Sequence, residues 1–253
     1  MDELLWTETL PQWREKFNGI DLWFINLKHT DAGTRYSSIL TEEEKTASNR
    51  YIQAERHQLS ITSRVVLRMI LSAYLQSHPA EIEFRKGEYQ KPYVHLPEHS
   101  LHFNISHTAN LLLIGISRST SIGVDMESVH NDVSWLQIAN HYFTASERVV
   151  LQKSENPQDT FYRFWTAKEA FLKGISSGFH FPLEMFTISY TSKNEARVIT
   201  SQPIHPPEWY VLNFPLPESC IGAVSIPEPI TSLRCYLLNH NNLETIASAW
   251  PVR

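Results

Sequence analysis

Cysteine is nearly missing: Cys220 and Cys235 are the two that 253 residues contain. Two such residues build no disulfide framework and supply no Cys-x-x-Cys metal pair, which fits a reducing compartment. Glycine is scarce as well, eight in all. No G-x-x-x-x-G-K-[ST] phosphate loop and no G-x-S-x-G nucleophile elbow occurs, which speaks against a P-loop nucleotide hydrolase and against a serine hydrolase. There is no basic excess: 22 Lys and Arg stand against 27 Asp and Glu, a net charge of -5, so the overall field does not attract nucleic acid. No stretch reaches about 18 uninterrupted apolar residues, and the opening "MDELLWTETLPQW" carries acid where a signal peptide carries positive charge. A soluble, cytoplasmic, monomeric protein without a membrane or nucleic-acid partner is expected.

What is present is material for a core. Hydrophobic residues make up 42% of the chain, enough for one large domain or two smaller lobes. "DLWFINL" (21–27) reads as a strand, ended by the turn-like "KHTDAGT". Thr41 and Glu44 have capping-box spacing, and the apolar steps Val65, Met69, Ala73 and Val66, Ile70, Tyr74 predict helix, in one or two pieces, through residue 75. "EIEF", "PYVH", "LHFNIS", "LLLIGIS" and "SIGVDME" then follow at the spacing of an antiparallel meander. After Val129 the pattern returns in kind. Helices are predicted over "SWLQIANHYF", over "TASERVVLQKS" with Thr144 and Glu147 as a second capping box, and from about Asp159 to Ile175; five strand-like segments end with "LRCYLL". The expected fold is α+β, two similar lobes over 1–118 and 119–253, each a long helix on a small antiparallel sheet.

Two stretches carry candidate chemistry. In "SIGVDMES" the alternation of a strand puts Ile122, Val124 and Met126 on one face and Gly123, Asp125 and Glu127 on the other. Two carboxylates on one face can share a Mg²⁺, or can simply be the solvated side of a half-buried strand. In "FWTAKEAFLKG" (164–174), Trp165, Lys168, Glu169, Leu172 and Lys173 fall within roughly 140° of helix surface, on a helix otherwise rich in phenylalanine. Charges on so apolar a helix need partners, a metal or an anionic ligand, unless Glu169 and Lys173 form an ordinary pair four residues apart. Ser106 and His107 interrupt two apolar runs as a hairpin does; His107 reads as a phosphate contact or as a plain turn histidine.

Taken in order, "QKPY" (90–93), "FNISHT" (103–108), "GVDME" (123–127) and "FWTAKEAFLKGISSGF" (164–179) resemble the motif series of 4'-phosphopantetheinyl transferases of the long, surfactin-synthetase-activating type. The resemblance implies a pseudodimer of two α+β lobes with coenzyme A in the cleft between them. It implies transfer of the phosphopantetheine arm to a serine of an apo acyl or peptidyl carrier protein, leaving 3',5'-ADP. By the same resemblance Asp125, Glu127 and Glu169 hold Mg²⁺, with Mn²⁺ as the alternative, and Lys168 and Lys173 contact phosphates or the leaving group. Ser106 and His107 touch the nucleotide phosphates, Lys91 and Pro92 line the adenine side, and Arg64 stands where the family has a cofactor-binding arginine. Glu169, Lys173 and Asp125 form the catalytic set. Glu169 is the first choice to accept the serine proton, directly or through a metal-bound water. Met126 replaces the more usual Ile or Val between the two acids, where only apolarity is needed. Phe143 is a candidate for an apolar patch that receives the carrier. The competing reading is a non-catalytic module of the same fold that holds coenzyme A or a carrier; converging acids count against it, because a binder of a polyanion has no use for them without a cation.

Overall fold

The computed structural model describes residues 4–13, 17–87, 90–95, 101–130, 134–176 and 181–251. Ser177, Gly178 and Phe179, which close the last motif, lie outside them. Two five-stranded sheets, a separate hairpin and the helices packed on them make a mixed helix and sheet fold, the class expected.

The first sheet runs in the order β1 (Trp6–Thr7), β12 (Leu233–Leu237), β2 (Ile20–Asn26), β6 (Leu111–Ser117), β5 (His102–Thr108). On one face lies α3 (Ala54–Leu75), whose Val65, Val66, Met69 and Ile70 pack with Trp23, Ile25, Leu112 and Ile114. The capping box predicted at Thr41 and Glu44 opens α2 (Glu42–Ser48), so the long helical region is two helices. β3 (Phe84–Lys86) and β4 (Pro92–Val94) pair as the separate hairpin.

The second sheet runs β7 (Gly123–Ser128), β11 (Cys220–Ile226), β10 (Tyr210–Leu216), β9 (Glu195–Thr200), β8 (Phe186–Tyr190), antiparallel throughout. Its outer face receives α6 (Pro157–Gly174), with α4 (Trp135–Tyr142) and α5 (Ala145–Lys153) beside it. The second predicted capping box, Thr144 with Glu147, opens α5.

Strand alternation decides how the sheets meet. Ile20, Leu22, Phe24, Leu111 and Leu113 of the first sheet share one core with Ile122, Val124, Met126, Leu212, Phe214 and Val224 of the second. The layers therefore stack helix, sheet, sheet, helix, and each of those side chains contributes roughly 1.5–3 kcal/mol by leaving water.

Two expectations change here. The first sheet is not wholly antiparallel, because β12 runs parallel to both β2 and β1. β12 and the following α7 (His240–Ser248) also join the first sheet and α3, although sequence order places them in 119–253. The link is tight: buried Asp21 accepts hydrogen bonds from Tyr74 Oη at 2.6 Å and Arg234 Nε at 2.7 Å.

Candidate active site

At one edge of the stacked sheets lies a seam, where β5 faces β7. Val124 N donates to Asn104 Oδ1 at 2.9 Å and Met126 N to Ser106 Oγ at 3.3 Å. Side chains of β5 thus close the outer edge of β7, which would otherwise present unpaired donors. The alternation predicted for 122–127 holds. Ile122, Val124 and Met126 enter the inter-sheet core, and Gly123 and Asp125 face α6. At Gly123 a Cβ would lie 1.9 Å from Ala170 O and 2.3 Å from Gly174 N, so the helix sits directly on the strand backbone. That close approach brings α6 side chains over those of β7.

Asp125, 4% exposed, is the centre of the cluster. Lys173 Nζ stands 2.7 Å from its Oδ1; Ser106 Oγ donates to the same oxygen at 2.9 Å and accepts from Lys173 Nζ at 3.1 Å. Asp125 Oδ2 and Glu169 Oε1 are buried without a hydrogen-bond partner among the described residues. Burial, then the charge of Asp125, raises both Glu127 and Glu169 to about 7, with Lys173 opposing. Burial, then the field of Lys173, lowers His107 from its ordinary value, against the pull of Asp125. Among the described residues no group of three or more His, Cys, Asp or Glu side chains stands placed to hold a metal ion, Asp125, Glu127 and Glu169 included.

Ser106 and His107 lie within β5, just before the hairpin turn at Ala109 and Asn110. Lys91 reaches the other end of the seam, where Nζ donates to Ile122 O at 2.9 Å and Lys173 O at 2.6 Å; burial lowers it to about 8. Pro92 follows at the first position of β4. Arg64, on α3, has a buried Nε with no hydrogen bond among the described residues. No bond among the described residues ties it to the acids.

Two assignments do not survive the geometry. Lys168 is 0% exposed and its ammonium is taken by Glu147 at 3.0 Å, Leu183 O at 2.8 Å and Phe186 O at 2.8 Å, away from β7. It has no proton left for a phosphate. Phe143 is 1% exposed, stacked on Phe161 at 5.4 Å and edge-on to Phe164, so it offers no surface to a carrier. Sequence reasoning also missed Asn104, which braces β7, and Glu147, whose only visible signal was its capping-box position.

Raised carboxyls give a pH signature. Between 4.5 and about 7 the folded protein holds protons on Glu127 and Glu169 that the unfolded chain has lost, so their contribution to stability falls as pH rises. Without divalent cation, Glu127→Gln/Glu169→Gln should match the wild-type melting temperature near pH 4.5 and exceed it increasingly to pH 8. A difference that does not vary with pH would contradict this.

A family model described as the 4'-phosphopantetheinyl transferase superfamily matches residues 121–224, and one described as 4'-phosphopantetheinyl transferase, N-terminal, matches residues 30–118. The 4'-phosphopantetheinyl transferase HetI of a Nostoc species is 29% identical over 212 residues, covering 82% of this chain and 87% of that protein. The 4'-phosphopantetheinyl transferase ffp of Bacillus subtilis is 30% identical over 207 residues, 79% of this chain and 89% of that protein. The chain belongs to the 4'-phosphopantetheinyl transferase superfamily. The 4'-phosphopantetheinyl transferase Sfp of Bacillus subtilis, 31% identical over 157 residues, 61% of this chain and 68% of that protein, agrees with the type read from the motifs. This 4'-phosphopantetheinyl transferase therefore carries its acids and Lys173 inside the first matched segment, and Ser106 and His107 inside the second.

Proposed function

We propose that the protein transfers the 4'-phosphopantetheine arm of coenzyme A to a serine of an apo acyl or peptidyl carrier protein and releases 3',5'-ADP, at the seam between two α+β lobes of a pseudodimer. One observation carries the site assignment: Lys173 and Ser106 meet on Asp125, Glu127 and Glu169 lie within its field, and among the described residues Asp125 Oδ2 and Glu169 Oε1 lack partners.

Such a set of hard oxygens fits Mg²⁺, which takes one or two carboxylates and completes its shell with water and substrate phosphate, so an open cluster suits it better than a cage. Asp125, Glu127 and Glu169 would hold it. When bound, the ion supplies positive charge to the anionic centre of the transfer. Lys173, 30% exposed, has the reach to meet a phosphate beside Asp125. Ser106 and His107 border the same place from β5 and orient the phosphates there. The serine hydroxyl must lose a proton as it attacks, and Glu169, on the helix above Asp125, stands nearest to that task. Lys91 ties the hairpin loop to the end of α6, and Pro92 beside it sets the adenine side. Arg64, whose buried Nε has no partner among the described residues, would bring its guanidinium to an anionic group of the nucleotide.

The experiment incubates the protein with Mg²⁺, coenzyme A and a panel of apo carrier proteins and seeks the phosphopantetheine mass increment on the carrier. Glu169→Gln should keep much of the coenzyme A affinity, read by calorimetry, while single-turnover transfer falls by about 10²–10⁴-fold. Full transfer in excess chelator would remove the metal from this reading; undiminished transfer by Glu169→Gln would remove Glu169.

A further inference from the structure

Lys168 and Glu169 are neighbours on α6, about 100° apart around its axis, and they look opposite ways. Glu169 faces Asp125, whereas the three protons of the Lys168 ammonium go to Glu147 Oε2, Leu183 O and Phe186 O. The ammonium also lies 4.3 Å from the centre of the Phe186 ring. Glu147, 1% exposed, is equally occupied: one oxygen accepts from Thr144 N at 2.8 Å and the other from Ile188 N at 2.7 Å. The start of α5, the turn at 183–185, β8 and the middle of α6 thus meet at one buried ion pair.

We propose that the Lys168–Glu147 pair is a positioning device that fixes the rotation and axial register of α6, so that Glu169 and Lys173 stand opposite Asp125 and Glu127. Contact with Gly123 sets how close the helix comes to β7, but a glycine surface does not stop it from sliding. Phe161, Phe164 and Phe171 hold the other side by packing that is not directional. Hydrogen bonds to an ammonium are directional, and setting register is the best-attested use of a buried polar pair. The pair touches neither the acids nor any ligand they would hold, so it acts through Glu169 and Lys173. The inference rests on the acid site described above.

The test uses Glu147→Gln/Lys168→Met. Glutamine removes the charge and, with its single acceptor oxygen, keeps one of the two backbone bonds, from Thr144 N in the capping box or from Ile188 N, and methionine fills the space without leaving a lone buried charge. The variant should melt cooperatively and bind coenzyme A within about threefold of wild type, while single-turnover transfer to a saturating apo carrier slows about 10–100-fold, the effect of misplacing reacting groups by about 1 Å. Wild-type transfer would reduce the pair to ordinary packing, and coenzyme A binding weakened as much as transfer would make Lys168 a ligand contact; either overturns the proposal. Should the double variant not fold, Glu147→Gln alone, which leaves the lysine bonded to Leu183 and Phe186, is read the same way for a smaller fall in rate. Glu169→Gln measured alongside separates the two readings. If it is unimpaired the acid site fails, and if it alone is impaired the positioning pair fails.

Discussion

Replacing Asp125 by alanine is expected to lower phosphopantetheine transfer by about 10³-fold or more while the protein still folds. The magnitude follows from the charge that a metal-holding carboxylate helps to neutralise at the transferring phosphate, several kcal/mol, at about 1.4 kcal/mol per factor of ten. Folding should survive because Asp125 is a source of repulsion in the cluster: its charge helps to raise both Glu127 and Glu169. Lys173, left without its partner, is 30% exposed and can turn to water. Transfer is read by mass spectrometry of the carrier, and folding by circular dichroism and melting. A folded Asp125→Ala variant with wild-type turnover would mean that the buried acid cluster takes no part in the transfer.

The largest loss of stability is expected from Lys168→Met made alone. It strands Glu147, 1% exposed, with two backbone donors and no counter-charge. Breaking a buried pair in this way costs about 3–5 kcal/mol, a fall in melting temperature of roughly 6–20 °C at this chain length. Adding Glu147→Gln should restore part of that loss, because it removes the stranded charge while leaving one of the two backbone donors without an acceptor. A Lys168→Met protein that melts like wild type would show that the ammonium is not committed to Glu147. Lys173→Met is the contrast: its ammonium is partly solvated, so transfer should suffer and melting should shift little.

What could be read in the sequence was local. Capping boxes at Thr41 and Thr144 are marked by residues three apart, and both occur as read. Alternation over 122–127 needs only a strand to be true, and it placed Asp125 on the side that α6 covers. The motif series brought together Asp125, Lys173 and Ser106, which bond to one another. What escaped was set by distant partners. On a helix, Lys168 and Glu169 are adjacent in angle, and nothing in "TAKEAF" says that the lysine has a carboxylate waiting 21 residues upstream. Phe143 was a candidate for a carrier patch, yet Phe161 and Phe164 of α6 close over it. β12 read correctly as a strand, but its neighbour β2 lies at the other end of the chain, and parallel pairing leaves no turn to announce it.

That last pairing has a consequence for how the chain is made. β2 lies between β6, which follows within a hundred residues, and β12, whose Leu233 pairs with Ile20. Throughout synthesis of the intervening chain, β2 keeps one open edge, and Asp21 waits in an apolar setting for Arg234. An open strand edge is a template for pairing with the wrong chain. The nascent protein is therefore most exposed to misassembly not while its acid site is being formed, but in the interval before residues 233–237 emerge, when the second sheet can already be complete and the first cannot.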